Sequence, residues 1–270
     1  MALKVLTLNI WHNAGPWPER RRLIRQAFEE LQPDVIGLQE VLQGDDVDLL
    51  AELSEGFGYE TAFAMASPFW LDLDVRFGNA ILSRHPIEQL HELRLPDGGD
   101  FETRGALTAL IRAPFGPLCF SVTHLNWKLH HGHVRLRQVE ALCEHVLSHR
   151  PEGGFPPVVV GDFNAEPDSD EIRYMRGLHS SAGRSVHFRD ALRQIRDLRG
   201  HHEPVFTWDN RNPYARGEWE PNRCLDYIFV GYPLRNGLGH VRDARLVCDG
   251  PEDGVWPSDH FGVFAELETG

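Results

Sequence analysis

Six segments of this 270-residue chain carry an acid, an amide or an imidazole where an apolar run begins or ends. "LTLNIWH" sets Asn9 inside an otherwise apolar stretch, and "VIGLQEV" runs to Glu40. "CFSVTHLNW" closes on His124, and "VVVGDFNAEPDS" presents Asp162 and Asn164 after three valines and a glycine. "RCLDYIFV" embeds Asp226, and "WPSDHFGVF" sets Asp259 and His260 ahead of a last apolar run. Burying any one of these groups without a partner costs about 1–3 kcal/mol. Six such departures from apolar patterning are cheaper if they converge and satisfy one another or a metal ion.

The residue types narrow the chemistry. Carboxylates and amide oxygens without cysteine suit a hard divalent cation such as Mg²⁺ or Mn²⁺. An imidazole beside carboxylates, as in Asp259–His260, has its pKa raised by the acids and can serve as a cation or as an acid or base. A metal, an imidazolium and a water-orienting Asp/Asn pair are the requirements of phosphoester hydrolysis.

Positioning these groups falls to a series of strand-like stretches: 4–10, 35–40, 59–64, 78–83, 107–113, 118–124, 158–162, 224–230, 244–248 and 262–267. Helical periodicity covers 18–31, 46–55, 133–149 and 169–178, with Pro18 in the first turn of its helix and Gln32-Pro33-Asp34 ending it. Strands follow one another directly between residues 59 and 124, whereas helices intervene elsewhere, which points to two mixed sheets packed face to face with helices outside. The stretch 179–223 has the least regular pattern, and its aromatics favour an ordered loop. No linker or repeat divides the chain, so one domain over 1–270 is expected.

Composition excludes some classes. Hydrophobic residues are 41% and charged residues 25%, as in soluble globular proteins. No apolar run approaches the ~20 residues needed to span a bilayer, and "MALKVLTLNI" leads straight into a strand without a signal-peptide pattern, so a cytoplasmic protein without a membrane span is expected. Cys119, Cys143, Cys224 and Cys248 lack CxxC spacing and read as reduced thiols. A net charge of −13 repels polyanions at long range. A phosphate-directed enzyme on this scaffold therefore needs local positive charge.

Taken in order, "LNIWH", "LQEV", "RFGNAILSR", "THLNW", "GDFNAEPDS", "LDYIFV" and "SDHFGV" resemble the endonuclease/exonuclease/phosphatase superfamily, over nearly the whole chain. The resemblance implies an α/β fold, a four-layer αββα sandwich of two mixed sheets as in DNase I-like nucleases. It implies Glu40 as the principal metal ligand with Asn9 in or near the metal shell, and Asp162 as the group that orients and activates water. Asn164 would stabilise the pentacovalent phosphate, His124 would bond a phosphate oxygen, Asp226 would support the site or a second metal, and Asp259 would orient His260 against the phosphate. Asn79 and Arg104 match positions that line the family's pocket.

Blander roles compete. Asp226 could pair with Arg223, and Arg104 with Asp100 or Glu102. The cluster "KLHHGHVRLR" reads as a solvated helix start rather than a zinc site, and Phe69, Trp70 and Trp256 could ring the pocket mouth or pack in the core. The expected activity is a Mg²⁺- or Mn²⁺-dependent phosphodiesterase acting on a small-molecule or lipid-derived phosphodiester. "THLNW" and "ETRGAL" look most like the sphingomyelinase-like and bacterial hydrolase branches, although no apolar membrane-docking hairpin is evident. A nuclease acting on DNA or RNA is the alternative, a non-catalytic binding protein a third reading, and no obligate protein partner is evident.

Overall fold

The computed structural model describes residues 2–99 and 103–270. In chain order the elements are β1 (Ala2–Asn9), α1 (Trp17–Leu31), β2 (Val35–Gln43), α2 (Leu49–Ser54), β3 (Glu60–Phe69), β4 (Asp72–Ser83), β5 (Ile87–Arg94), β6 (Gly105–Ala113), β7 (Gly116–His124), α3 (Gly132–His149), β8 (Phe155–Asp162), α4 (Asp170–Met175), β9 (Arg189–Asp190), α5 (Ala191–Leu198), α6 (Pro213–Arg216), β10 (Asp226–Val230), β11 (Val241–Val247) and β12 (Gly262–Glu268). They build two six-stranded sheets, ordered β11-β12-β1-β2-β4-β3 and β5-β6-β7-β8-β10-β9.

Each sheet holds one parallel pair near its centre, β1 with β2 and β7 with β8, among antiparallel neighbours. Parallel strands require a crossover, and α1 and α3 supply one on the outer face of each sheet. Strands covered on both faces must be apolar on both. In β1, Val5 joins the core between the sheets while Leu6 and Leu8 pack with Ile24 and Phe28 of α1. In β8, Val158 and Val160 face the opposite sheet, whereas Val159 packs with Val139, Leu142 and Val146 of α3. The result is the four-layer αββα sandwich.

Close approach of the sheets explains one glycine. A Cβ on Gly37 of β2 would collide with the side chain of Val160 across the interface. Gly161 is fixed differently: its φ is +145°, and a Cβ there would overlap the carbonyl oxygen of Thr123 on the neighbouring strand.

Two parts of the architecture escape hydrophobic periodicity. β5 is an edge strand whose residues are mostly exposed or half-buried, so it carries no apolar alternation to read. The irregular stretch 179–223 contains the short strand β9 and the helices α5 and α6. Ala191, Leu192 and Ile195 of α5 join the core between the sheets. No helix among the described residues is long and apolar enough to cross a membrane.

Candidate active site

The C-terminal ends of all four parallel strands open at one end of the sandwich. β1 ends on Asn9 and β7 and β8 end on the paired His124 and Asp162. β10 runs the other way, so its first residue, Asp226, falls opposite Asp162. Asp259 and His260 arrive in the loop before β12. Seven polar residues from remote parts of the chain (Asn9, His124, Asp162, Asn164, Asp226, Asp259 and His260) are buried here, and Glu40 is half-buried beside them.

Glu40 reaches the cluster through an irregularity. The β2–β4 register shifts between Leu38 and Val41, and Glu40 has φ +62°. A bulge with a left-handed residue re-aims the side chain out of the strand's alternation, at a cost in backbone strain that a functional site commonly carries. Asn164 is likewise left-handed, with φ +49°. Its backbone N–H donates to Asp162 Oδ1 at 2.8 Å, and its side-chain amide donates to the Leu125 carbonyl at 3.2 Å.

Asp162 Oδ2 is the hub. Asn9 Nδ2 donates to it at 3.1 Å and to Glu40 Oε1 at 3.1 Å, bridging the acids of the two sheets. The Nε2 atoms of His124 and His260 lie 3.3 Å and 3.7 Å from the same oxygen. His260 Nδ1 is 2.8 Å from Asp226 Oδ2. Ser258 Oγ donates to the Asn9 carbonyl at 2.6 Å, pinning the last loop to the first strand, and lies 3.1 Å from Asp259 Oδ1.

The two imidazoles differ in charge state. Burial, reinforced by Arg104 and His260, pushes the His124 pKa well below its usual value. Burial acts on His260 in the same direction, but Asp226, Asp162 and Asp259 overcome it and hold the ring well above its usual value. A neutral and a cationic ring thus flank one carboxylate. Burial also raises Glu40 and Asp226, and raises Asp259 to about 7, with Glu40 adding to the last shift.

A cleft of about 380 Å³ opens above this cluster. Glu40, Asp162, Asn164, His124, Arg104 and Asp259 contribute to its wall, and the rings of Trp11, Trp70, Trp127 and Trp208 surround them. Asn9 and His260 are not on the wall and touch it through Asp162. Arg104 bears on both Glu40 and His124. Asp100 and Glu102, its alternative partners, lie outside the described residues. Asn79 is not brought to this cleft: its amide donates to the Gly105 carbonyl at 2.9 Å, tying β4 to the strand that follows Arg104. Arg223 pairs with Glu220 rather than with Asp226. Of the suggested rim aromatics, Trp70 lines the cleft, whereas Phe69 and Trp256 are buried.

Several supporting residues carry no sequence signal. Arg20 sits in the arginine-rich start of α1, which reads as a solvated face, yet it is fully buried. Its guanidinium donates to the carbonyls of Ile10, Trp11, His12, Ala14 and Pro257, and burial lowers its pKa to about 10. It thereby holds the loop after β1, where Trp11 and His12 both have positive φ, against the loop before β12. Thr207 Oγ1 accepts from the N–H groups of Leu225 and Asp226, and the Trp208 ring meets His260 edge-on at 4.9 Å. Asn212 Nδ2 donates to the Ser258 and Asp259 carbonyls. Only "SDH" flags Ser258.

The donor set suits a hard cation. It is rich in carboxylate oxygen, and Asp226 Oδ1 is buried without a hydrogen-bond partner. Single ligand atoms of Asp162, Asp226 and His260 lie within 4.8 Å of one another, and Glu40 extends the acidic surface toward the cleft.

A two-sheet sandwich with buried acids and an imidazolium at the strand ends is the architecture of a phosphoester hydrolase. The Endonuclease/Exonuclease/phosphatase family model matches residues 6–260, and the chain belongs to that family of divalent-metal-dependent hydrolases. Among curated proteins, it is 25% identical to Xenopus laevis Nocturnin over 264 residues and 24% identical to Homo sapiens Nocturnin over 267. Each alignment covers 93% of this chain, and the chain spans 64% and 58% of those relatives' lengths. The human Nocturnin catalytic domain, solved with a bound sulfate anion, superposes with a TM-score of 0.75 at 24% identity, covering 99% of this chain and 93% of that one. D. rerio TDP2, complexed with single-strand DNA product, gives 0.76 at 19% identity and 99% coverage of both chains.

Proposed function

We propose that this chain, acting as a single domain, is a Mg²⁺- or Mn²⁺-dependent phosphodiesterase that cleaves single-stranded nucleic acid. The observation that carries the reading is the convergence of Glu40, Asp162, Asp226 and His260 beneath a cleft whose wall includes the exposed rings of Trp70 and Trp127. Exposed aromatic faces stack on unpaired bases of any sequence, at about 1–3 kcal/mol per base. The single-strand DNA product in the similar zebrafish protein agrees with this substrate class. The substrate expected from the sequence, a small or lipid-derived phosphodiester, becomes the second reading. Glu218 and Glu220 on the cleft wall and the net charge of −13 favour it, because both disfavour a polyanion.

Glu40 and Asp162 would hold the cation, with Asn9 orienting both carboxylates through its amide. A bound divalent cation would supply neutralising charge at the non-bridging phosphate oxygens. Asp162, fixed by Asn9 and the Asn164 N–H, aligns the attacking water. His260 is held cationic by Asp226, so it donates a proton-bearing nitrogen toward the phosphate instead of ligating metal. Asp259 adds to the field that keeps it charged. Neutral His124 donates a hydrogen bond, Asn164 steadies the equatorial oxygens of the transition state, and Arg104 contributes local positive charge. Asn79 holds the backbone beside Arg104 through the Gly105 carbonyl.

A substrate panel at increasing salt tests the reading. Oligonucleotide cleavage that weakens steeply with salt, alongside slower turnover of bis(p-nitrophenyl) phosphate that does not, supports it. Turnover of phospholipid or sugar phosphodiesters in preference to oligonucleotides replaces it with the second reading.

A further inference from the structure

Three histidines outside the cleft meet on the outer face of the second sheet. His91 lies on β5, while His145 and His149 lie one turn apart on α3. Strand side chains alternate, so His91 and Leu93 share the face on which α3 packs, and Leu93 joins the cluster beneath that helix. Residues four apart on a helix share a face, so His145 and His149 both turn toward His91. Ring centroids are 4.0 Å apart for His91–His149, 4.4 Å for His145–His149 and 6.4 Å for His91–His145.

The nitrogens show what is missing. His91 Nε2 and His145 Nε2 are shielded from solvent and have no hydrogen-bond partner. His149 Nδ1 lies 2.8 Å from the His145 carbonyl oxygen. A carbonyl can only accept, so Nδ1 carries a proton, and in the neutral ring Nε2 is the nitrogen left to ligate a metal. Metal-binding histidines are commonly held in this way, with the far nitrogen tied to a backbone carbonyl. Burial and the neighbouring imidazoles lower the pKa values of His91 and His145, which favours the neutral, ligating form of those two rings.

We propose that His91, His145 and His149 form a binding site for a divalent transition metal that favours imidazole, such as Zn²⁺. Three nitrogen donors with water in the fourth position match the preference of that ion, and they contrast with the carboxylate-rich cleft suited to a harder one. The three nitrogens are not gathered as closely as the ligand atoms of Asp162, Asp226 and His260, so binding requires the rings to turn about their side-chain bonds until their nitrogens face one point. Arg135, in the first turn of α3, bonds the Asn126 carbonyl near the cleft. His149 lies roughly 20 Å further along the helix axis at its normal rise per residue. The site is therefore structural or regulatory, tying the edge strand β5 to the end of α3.

The test uses the full chain with millimolar Mg²⁺ present, titrated with Zn²⁺ by calorimetry and with Co²⁺ as a visible-absorption probe. One tightly bound equivalent with the absorption of a tetrahedral nitrogen-ligated Co²⁺ is expected. It should survive in Glu40→Gln and weaken in His149→Ala and His91→Ala by more than the ~10–100-fold seen when only a supporting contact is lost. Both variants should keep the Mg²⁺-supported phosphoesterase activity and a melting midpoint near the parent's in the absence of Zn²⁺. Binding that is unchanged in either histidine variant, that disappears in Glu40→Gln, or that is absent from the parent overturns the proposal.

Discussion

Two histidine-bearing regions lie apart in the molecule, one where both sheets end and one on the outer face of the second sheet, and the same side chain behaves oppositely in them. In the cleft, His260 is wedged against Asp226 and Asp162 and is held protonated. Under the end of α3, burial and the neighbouring rings of His149 and His91 lower His145 to about 4. Desolvation acts on both rings in the same direction. What differs is whether carboxylates were brought within reach, and only the cleft gathers strand ends from distant parts of the chain.

The sharpest way to break this contrast is to remove the cleft's central charge. Asp162→Asn removes the carboxylate that faces both imidazoles and orients water, and kcat should fall ~10²-fold or more while the fold persists. Near-normal kcat by steady-state kinetics, with intact metal binding, would rule out its role. Asp226→Asn is the next step down. It removes the partner that holds His260 protonated, so kcat should fall roughly 10-fold. Activity that needs the protonated ring is lost as pH rises through the ring's pKa, so that loss should move to lower pH in the variant. A pH profile unchanged from the parent's would place another group at that position.

Stability against pH sharpens the comparison from both sides. The His260 contribution is raised in the folded state, so it is present below about pH 6.5 and lost as pH rises through the folded value. His145 is depressed, so the protein should lose stability as pH falls from 6.5 toward about 4, because the unfolded chain takes up the proton first. Melting midpoints measured across that window should fall less steeply in His145→Leu than in the parent, and equal slopes would count against the trio's lowered proton affinity. The smallest expected effect is at the rim. Trp70 is 60% exposed, and Trp70→Ala should raise KM for a single-stranded oligonucleotide several-fold while leaving bis(p-nitrophenyl) phosphate turnover alone. An equal loss on both substrates would mean that the ring shapes the cleft instead of stacking on bases.

Much of the site was legible because a polar residue at the end of an apolar run is anomalous on its own. Asn9, His124, Asp162, Asp226, Asp259 and His260 each stand out against hydrophobic neighbours, and each lies at the strand-end cluster. Asn79 was pointed to only by the family resemblance, and its amide bonds the Gly105 carbonyl. Arg20 was invisible because it sits among Arg21, Arg22 and Arg25 on a helix that reads as solvated. Trp208 and Asn212 lie in a stretch without periodicity. β5 was hidden because an edge strand is wetted on much of its surface, so its sequence need not alternate.

The sequence by itself determined the two-sheet sandwich, since strands buried on both faces must be apolar throughout, and it determined which polar groups could not remain unpartnered there. Tertiary structure decided how those groups combine. The bulge at Glu40 turns its carboxylate toward Asn9, Asp226 falls to His260 instead of Arg223, and three unremarkable histidines meet between β5 and α3. Local pattern encodes burial, because burial is a property of each residue's own face. Partnership depends on register and on loop paths, which are fixed only when the whole chain packs.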